Sequence, residues 1–220
     1  VGHSANTGNR WSSEALFQKQ VPQFPKIILA SASPRRAGIL HHAGFEFAIS
    51  PAQIDETILP GEDPRTYVRR LAQEKARTVA RRLKGTVSEV PRAIVGADTT
   101  VSVNGKILGK PESAEQARAM LRGLSGRWHE VLTGIAVITM REPSQEEDVA
   151  VETTRVQFAE LSVKEIDEYV ESGEPFGKAG GYAIQGRGGK FIPRIEGCYF
   201  NVMGLPLARL YAILRKPKKR

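Results

Sequence analysis

Four consecutive apolar residues, Ile27-Ile28-Leu29-Ala30, give way at once to Ser31-Ala32-Ser33-Pro34-Arg35-Arg36, and the chain then returns to an apolar-patterned segment ending at Gly44. An unbroken apolar run this short reads as a strand buried on both faces. Ser33 is a good N-cap, Pro34 suits the first helical position, and Gly44 is a C-terminal stop. Residues 45–49 read as a second strand. A strand feeding a helix N-terminus presents unpaired backbone N–H groups and the positive end of the helix dipole, which together favour an anion. Ser31 and Ser33 add hydroxyls, and Arg35 and Arg36 add guanidiniums whose fork suits phosphate. A plain capped helix with two surface arginines is the alternative. It accounts for Ser33 and Pro34 but leaves two cations crowded at a positive dipole end.

Further along, Asp63-Pro64 opens a long helix in which Tyr67/Val68, Leu71/Ala72, Ala76, Val79/Ala80 and Leu83 recur at helical spacing, until Gly85 ends it. "AIVGADTTVSV" (93–103) is strand-like, and Asn104-Gly105 before "KILGK" is a hairpin signal. Ser113 with Gln116, and Ser162 with Glu165, have the spacing of capping boxes, for helices ending near Gly123 and at Gly173. "EVLTGIAVITM" and "VETTRVQFAEL" read as a strand pair joined by an acidic loop. The Gly-rich "GKAGGYAIQGRGGKFIPRIEG" reads as loop with short strands, and "LPLARLYAILRK" as the final helix. Alternating strands and helices, without repeats or a linker, predict a mixed α/β fold in one unit of two lobes. The expected organisation is a polar arm (1–25), one domain (26–215) and a basic tail (216–220).

Composition narrows the classes. No apolar run reaches the roughly 18–20 residues of a membrane span. The single cysteine, Cys198, rules out an intrachain disulfide and points to the reducing cytoplasm. His3, His41, His42 and His129 are too scattered for a His/Cys zinc cluster. Of the net charge of +8, four charges come from Lys216, Lys218, Lys219 and Arg220. A second basic group, Arg65, Arg69, Arg70, Arg77, Arg81, Arg82 and Lys84, decorates the long helix. That group is either a solvated face or an attractor of anions.

Four further features carry chemistry. Lys75 lies four residues from both Leu71 and Val79, inside the apolar stripe, so it either snorkels from the edge or reaches into a cleft. Asp98 follows the buried stretch 93–97, and ligand sites in α/β sheets favour carboxyl ends of strands. A carboxylate there binds a divalent cation or takes a proton from water, unless it only caps a turn. Glu56, in the loop after the second strand, offers another oxygen. Lys110, held extended by Pro111, is a loop lysine or a phosphate ligand. In "KAGGYAIQG", Gly180-Gly181 permits close backbone approach and the Gln185 amide both donates and accepts, as reading a nucleobase edge requires. Neither GxxxxGK[ST] nor GxGxxG occurs.

Together "LASASPRR" (29–36), "RLAQEKA" (70–76), "VGADTTV" (95–101), "ILGKP" (107–111), "LSGRWHEVLTG" (124–134), "GEPFGKAGGYAIQG" (173–186) and "NVMGLPL" (201–207) resemble the Maf family of nucleoside triphosphate pyrophosphatases, the septum formation proteins. The resemblance implies a two-lobed α/β fold around an extended twisted sheet with a central nucleotide cleft. It implies hydrolysis of a nucleoside triphosphate to monophosphate and pyrophosphate with Mg²⁺ or Mn²⁺, and a homodimer. It makes Asp98 the proton acceptor and, with Glu56, a metal ligand. Ser31, Ser33, Arg35, Arg36, Lys75 and Lys110 become phosphate ligands. Arg35, Thr99 and Gln185 match the subgroup acting on dTTP and UTP; the subgroup favouring 7-methyl-GTP carries a bulky residue and Glu at the first and last of these positions. Two alternatives stay open: a purine-directed pyrophosphatase, separated by a substrate panel, and a nucleotide-sensing or nucleic-acid-binding cell-division regulator. The latter would show salt-steep nucleic-acid binding without pyrophosphate release.

Overall fold

The computed structural model describes residues 24–85, 92–141 and 144–216. The expected polar arm up to residue 23 and the tail beyond Lys216 lie outside these. Seven strands form one mixed sheet: β1 (Lys26–Leu29), β2 (Phe47–Ile49), β3 (Arg92–Val103), β4 (Lys106–Leu108), β5 (Trp128–Arg141), β6 (Ser144–Gln157) and β7 (Arg194–Glu196), in the order β2-β1-β3-β5-β6-β7, with β4 paired to β3. β1 runs parallel to β2 and β3; the pairs from β3 to β7 are antiparallel. Among the described residues six α-helices complete the α/β fold: α1 (Pro34–His42), α2 (Pro64–Leu83), α3 (Ala114–Leu124), α4 (Val163–Glu171), α5 (Tyr199–Met203) and α6 (Leu207–Leu214).

Three cores pack this sheet. Odd-numbered β3 residues Ala93, Val95 and Ala97 meet Ile39 and Leu40 of α1 and Leu210 of α6 on one face. The opposite face, with Ile94, Ala136 and Ile138, is covered by Ala72, Ala76 and Val79 of α2. The far halves of β3, β5 and β6 join α3 and α4 around Phe158, Leu121 and Tyr169. The long strands thus run through both lobes, and alternation along each strand supplies both faces.

Two glycines let α2 lie directly on the sheet. A Cβ at Gly96 would stand 2.2 Å from the Ala72 carbonyl oxygen, and one at Gly134 would stand 2.2 Å from that of Val68. Only glycine tolerates such backbone approach. The helix starts where expected, with the Asp63 side chain accepting from Arg65 and Thr66 N–H and Pro64 following it.

Three expectations change. The acidic residues Glu146, Glu147 and Asp148 belong to strand β6 rather than to a loop, and two of them are held in ion pairs: Glu147 with Arg77, and Asp148 with Lys216. The helix α5 was not anticipated; it is five residues long, too short for a periodic signal. At α3, Ser113 caps the Gln116 N–H, but the Gln116 side chain accepts from Glu112 N–H instead of returning to the cap residue. The box at Ser162 and Glu165 is complete. The basic face of α2 stays mostly exposed, but three of its seven cations are tied to neighbouring segments: Arg70 binds Glu62, Arg77 binds Glu147, and Arg82 reaches Ser50 and the Pro51 carbonyl.

Candidate active site

The site forms at a gap in the sheet. β1 ends at Leu29, opposite Val95, and β4 joins the same edge of β3 only from Val101 onward. Between these points β5 is the only strand beside β3 among the described residues. Asp98 and Thr99 sit there. Asp98 therefore lies in mid-strand, opposite Gly134, and not at a carboxyl end as the sequence suggested. The strand that ends at the site is β1, whose chain passes through Ser31 and Ser33 into α1. Adjacent residues of β3 point to opposite faces, so Asp98 meets α2 while Thr99 meets α1 and the turn after α5.

All ten residues singled out in the sequence, Ser31, Ser33, Arg35, Arg36, Glu56, Lys75, Asp98, Thr99, Lys110 and Gln185, line one cleft of about 330 Å³. On the α2 side, Lys75 reaches inward and does not snorkel. It is 7% exposed, and its Nζ stands 2.6 Å from both Asp98 Oδ1 and Glu56 Oε1. Asp98 is as deeply buried, at 7%. Lys110, on the open rim, is 3.4 Å from the other Glu56 oxygen. Burial pushes the Glu56 carboxyl up, but the hydrogen bond and charge of Lys75, with Lys110, outweigh it and hold the group below its ordinary value.

The loop that brings Glu56 here is anchored by residues the sequence reading named only for the charge and periodicity of α2. Arg70 grips Glu62 with two nitrogens, at 2.7 and 2.8 Å, and donates to the Thr57 carbonyl at 3.0 Å. Tyr67 donates its hydroxyl to the Glu56 carbonyl at 3.0 Å. Burial, reinforced by the charges of Asp98 and Glu56, raises this phenol to about 12, so it stays a donor at neutral pH.

On the α1 side, Arg36 is 8% exposed and braced by Nε to the Gly204 carbonyl (2.8 Å), Nη1 to Ser31 Oγ (2.8 Å) and Nη2 to Thr99 Oγ1 (3.0 Å). Thr99 in turn meets Thr133 Oγ1 at 2.9 Å, and the Thr133 hydroxyl donates to the Asn201 carbonyl. Arg36 thus joins α1, β3 and the turn after α5 while lining the cleft. Ser33 caps α1, accepting from the Arg36 N–H at 3.5 Å. Arg35 is half-buried beside it. Burial pulls both guanidiniums below their ordinary value, partly offset by Glu174 at Arg35 and by Asp98 at Arg36; both stay charged at neutral pH.

The remaining wall is the segment carrying Gly177, Lys178, Ala179, Tyr182, Ala183, Ile184 and Gln185. Lys178 was not singled out in the sequence, where a lysine among glycines carries no pattern. Burial and the charge of Arg35 pull its ammonium below the ordinary value, against the pull of Glu174. Tyr182 is fixed by a 2.7 Å hydrogen bond with His129 Nε2. Burial holds His129 down at about 4, hence neutral at physiological pH.

The lining carries five cations, Arg35, Arg36, Lys75, Lys110 and Lys178, against two carboxylates, Glu56 and Asp98, a surplus of three. Low-dielectric walls and this surplus favour a polyanion. Among the described residues no group of three or more His, Cys, Asp or Glu assembles for a metal. The two carboxylates nevertheless converge on one ammonium, and such a hard-oxygen pair fits Mg²⁺ or Mn²⁺ of the kind that takes one or two carboxylates and draws its other ligands from phosphates and water.

The chain matches the family described as Maf-like protein over residues 26–217. It is 50% identical over 192 residues to the dTTP/UTP pyrophosphatase of Anaeromyxobacter dehalogenans (strain 2CP-C), covering 87% of this chain and 94% of that one. It is 51% identical over 190 residues to the protein of the same name from Methylobacillus flagellatus, covering 86% and 92%. Against that from Pelotomaculum thermopropionicum it is 49% identical over 191 residues, covering 87% and 96%.

Proposed function

The chain belongs to the Maf family, and on that premise we propose that it hydrolyses dTTP and UTP, and modified pyrimidine analogues, to the monophosphate and pyrophosphate. The observation that carries this reading is the cleft itself: one pocket at the sheet gap, with three more cations than anions and a buried carboxylate at its floor. Its volume of about 330 Å³ falls within the ~300–1,000 Å³ of small-molecule sites.

In this mechanism Arg35, Lys110 and Lys178 draw in the phosphates, with Ser31, Ser33 and Arg36 at the N-terminus of α1 completing the grip. Lys75 holds one Asp98 oxygen, so that the other is oriented toward the substrate. Asp98 takes a proton from water as the water oxygen bonds to the α-phosphorus. The bond from that phosphorus to the oxygen bridging to the β-phosphate breaks, pyrophosphate leaves with that oxygen, and the proton passes from Asp98 to solvent. Glu56 and Asp98 are the residues that would hold a divalent cation, which when bound supplies charge neutralisation to the phosphates. Gln185 and Thr99 face the base side, where the Gln185 amide complements the mixed donor and acceptor edge of a uracil or thymine. The reducing cytoplasm, where Cys198 stays a thiol, is the compartment in this reading, and a homodimer is its assembly.

Asp98→Asn tests it. Loss of a positioned base costs about 10²–10⁴ in rate, so pyrophosphate release should fall at least ~100-fold while dTTP binding, followed by calorimetry, persists. Near-wild-type release by this variant removes Asp98 from the chemistry.

A further inference from the structure

The wall that faces the base is a loop flanked by two short 3₁₀ turns, Ala179–Gly181 and Arg187–Phe191, and one carboxylate organises it. Glu174 Oε1 accepts from the Tyr169 hydroxyl at 2.8 Å and from the Gly188 N–H at 3.0 Å, and Oε2 accepts from the Arg187 N–H at 3.0 Å. The Tyr169 hydroxyl in turn accepts from the Ala183 N–H at 3.2 Å. At the other end of the segment Lys178 Nζ donates to the Glu174 carbonyl at 2.5 Å. One residue thus binds both ends of the stretch from Lys178 to Gly188, and Gln185 lies between its anchors.

The fit is close. A Cβ on Gly186 would stand 2.5 Å from either Glu174 oxygen, and one on Gly188 would stand 2.7 Å from the Tyr169 oxygen. Gly186 and Gly188, just after Gln185, are therefore places where backbone wraps the carboxylate and its tyrosine partner. Burial pushes the Glu174 carboxyl up, but the two backbone N–H groups and the Tyr169 hydroxyl hold it below its ordinary value, so it is ionised at neutral pH. Hydrogen bonds to an ionised acceptor are about twice as strong as neutral ones. Tyr169, buried in the core around Phe158 and Phe191, gives the carboxylate a rigid base.

We infer that Glu174 is a positioning residue for base selection: with Tyr169 it shapes the 183–188 turn so that Gln185 presents its amide to the cleft. This rests on the pyrimidine triphosphate reading above and adds to it the part that holds the selecting residue in place. Glu174 makes no hydrogen bond to the Lys75–Asp98–Glu56 group or to α1, but its charge acts on Arg35 and Lys178, so the variant that keeps this charge is the one that separates recognition of the base from the phosphate grip.

The test compares Glu174→Gln and Tyr169→Phe with the unmodified chain. Glu174→Gln keeps the shape but replaces one acceptor oxygen by a donor. Tyr169→Phe removes the hydroxyl link and keeps the charge that acts on Arg35, so an effect shared by both variants belongs to the loop. Expected are a KM for dTTP raised about tenfold in Glu174→Gln and less in Tyr169→Phe, kcat within about threefold, and a reduced preference for dTTP over dGTP. Tripolyphosphate, which has no base, should inhibit Tyr169→Phe as it does the unmodified chain, and Glu174→Gln at least as strongly because a carboxylate near Arg35 and Lys178 is gone. Amide exchange in 183–188 should rise in both variants. Equal losses on dTTP and dGTP, a parallel loss of tripolyphosphate inhibition, or unchanged selectivity in both variants would overturn the inference while leaving the activity standing. Absence of dTTP and UTP hydrolysis by the unmodified chain overturns the reading beneath it, and the inference with it.

Discussion

Replacing Lys75 with Met isolates the electrostatics of the cleft floor. Methionine keeps the unbranched stem that fills the apolar stripe of α2, so little cavity is made. What is lost is the ammonium that stands 2.6 Å from both carboxylates. Glu56, whose side chain is 40% exposed, turns to water at little cost. Asp98 has no such escape at 7% exposure and is left as a buried charge without its partner. Breaking a buried pair on one side costs about 3–5 kcal/mol, which for a chain of this size lowers Tm by roughly 10 °C. Asp98→Asn alone leaves Lys75 with Glu56 and should cost about 1–2 kcal/mol. In the double variant no charge is stranded, so its loss is smaller than the sum of the two single losses by about 2 kcal/mol. Urea unfolding of the four proteins at neutral pH, with coincident fluorescence and circular dichroism transitions, gives the cycle. A double variant whose loss equals the sum of the single losses within about 0.5 kcal/mol would refute the reasoning, as would a Lys75→Met protein as stable as its parent.

Other consequences follow from the same geometry. Gly96→Ala places a methyl carbon 2.2 Å from the Ala72 carbonyl oxygen, so α2 must lift from the sheet. Stability should fall by about 3 kcal/mol or more, and dTTP turnover should drop because Lys75 moves with the helix; an unaffected urea midpoint would show that α2 does not lie where described. The folded-state value of Glu56 lies below its ordinary 4.5. Its contribution to stability is therefore full above that ordinary value and is lost as pH falls through the lowered one. The stability gap between the parent and Glu56→Gln should narrow on going from about pH 6 to about pH 3, which urea titrations at stepped pH would follow; a gap that widens on acidification contradicts the assigned ion pairs.

Local signals in the sequence were reliable where local physics decides the outcome. Ser33-Pro34 and Asp63-Pro64 cap and start α1 and α2. Asn104 and Gly105 both adopt positive φ at the β3–β4 turn. The β1–α1 junction, singled out from the helix dipole and the arginines, lines the cleft. The sheet gap was not legible, because it depends on where β1 and β4 stop along β3, and pairing register is non-local. That is why Asp98 read as a strand end although it is opposite Gly134 in mid-strand. Lys75 stood out as a charge inside an apolar stripe, yet its two partners come from a strand 23 residues away and a long loop. Arg36 carried the signature of a phosphate ligand, and nothing local announced that Gly204 and Thr99 would also claim its nitrogens. Glu174 and Lys178 lay inside a segment quoted for the resemblance but had no local signal of their own: their contacts run to backbone amides and carbonyls, which every residue has.

The central claim is attack by water at the α-phosphorus of a pyrimidine triphosphate. Hydrolysis of dTTP in ¹⁸O-enriched water with Mg²⁺, followed by ³¹P spectroscopy of the products, tests it most directly. The account predicts pyrophosphate and thymidine monophosphate in equal amounts, with the label on the monophosphate alone. Label in the pyrophosphate, or release of orthophosphate and a nucleoside diphosphate, would contradict it.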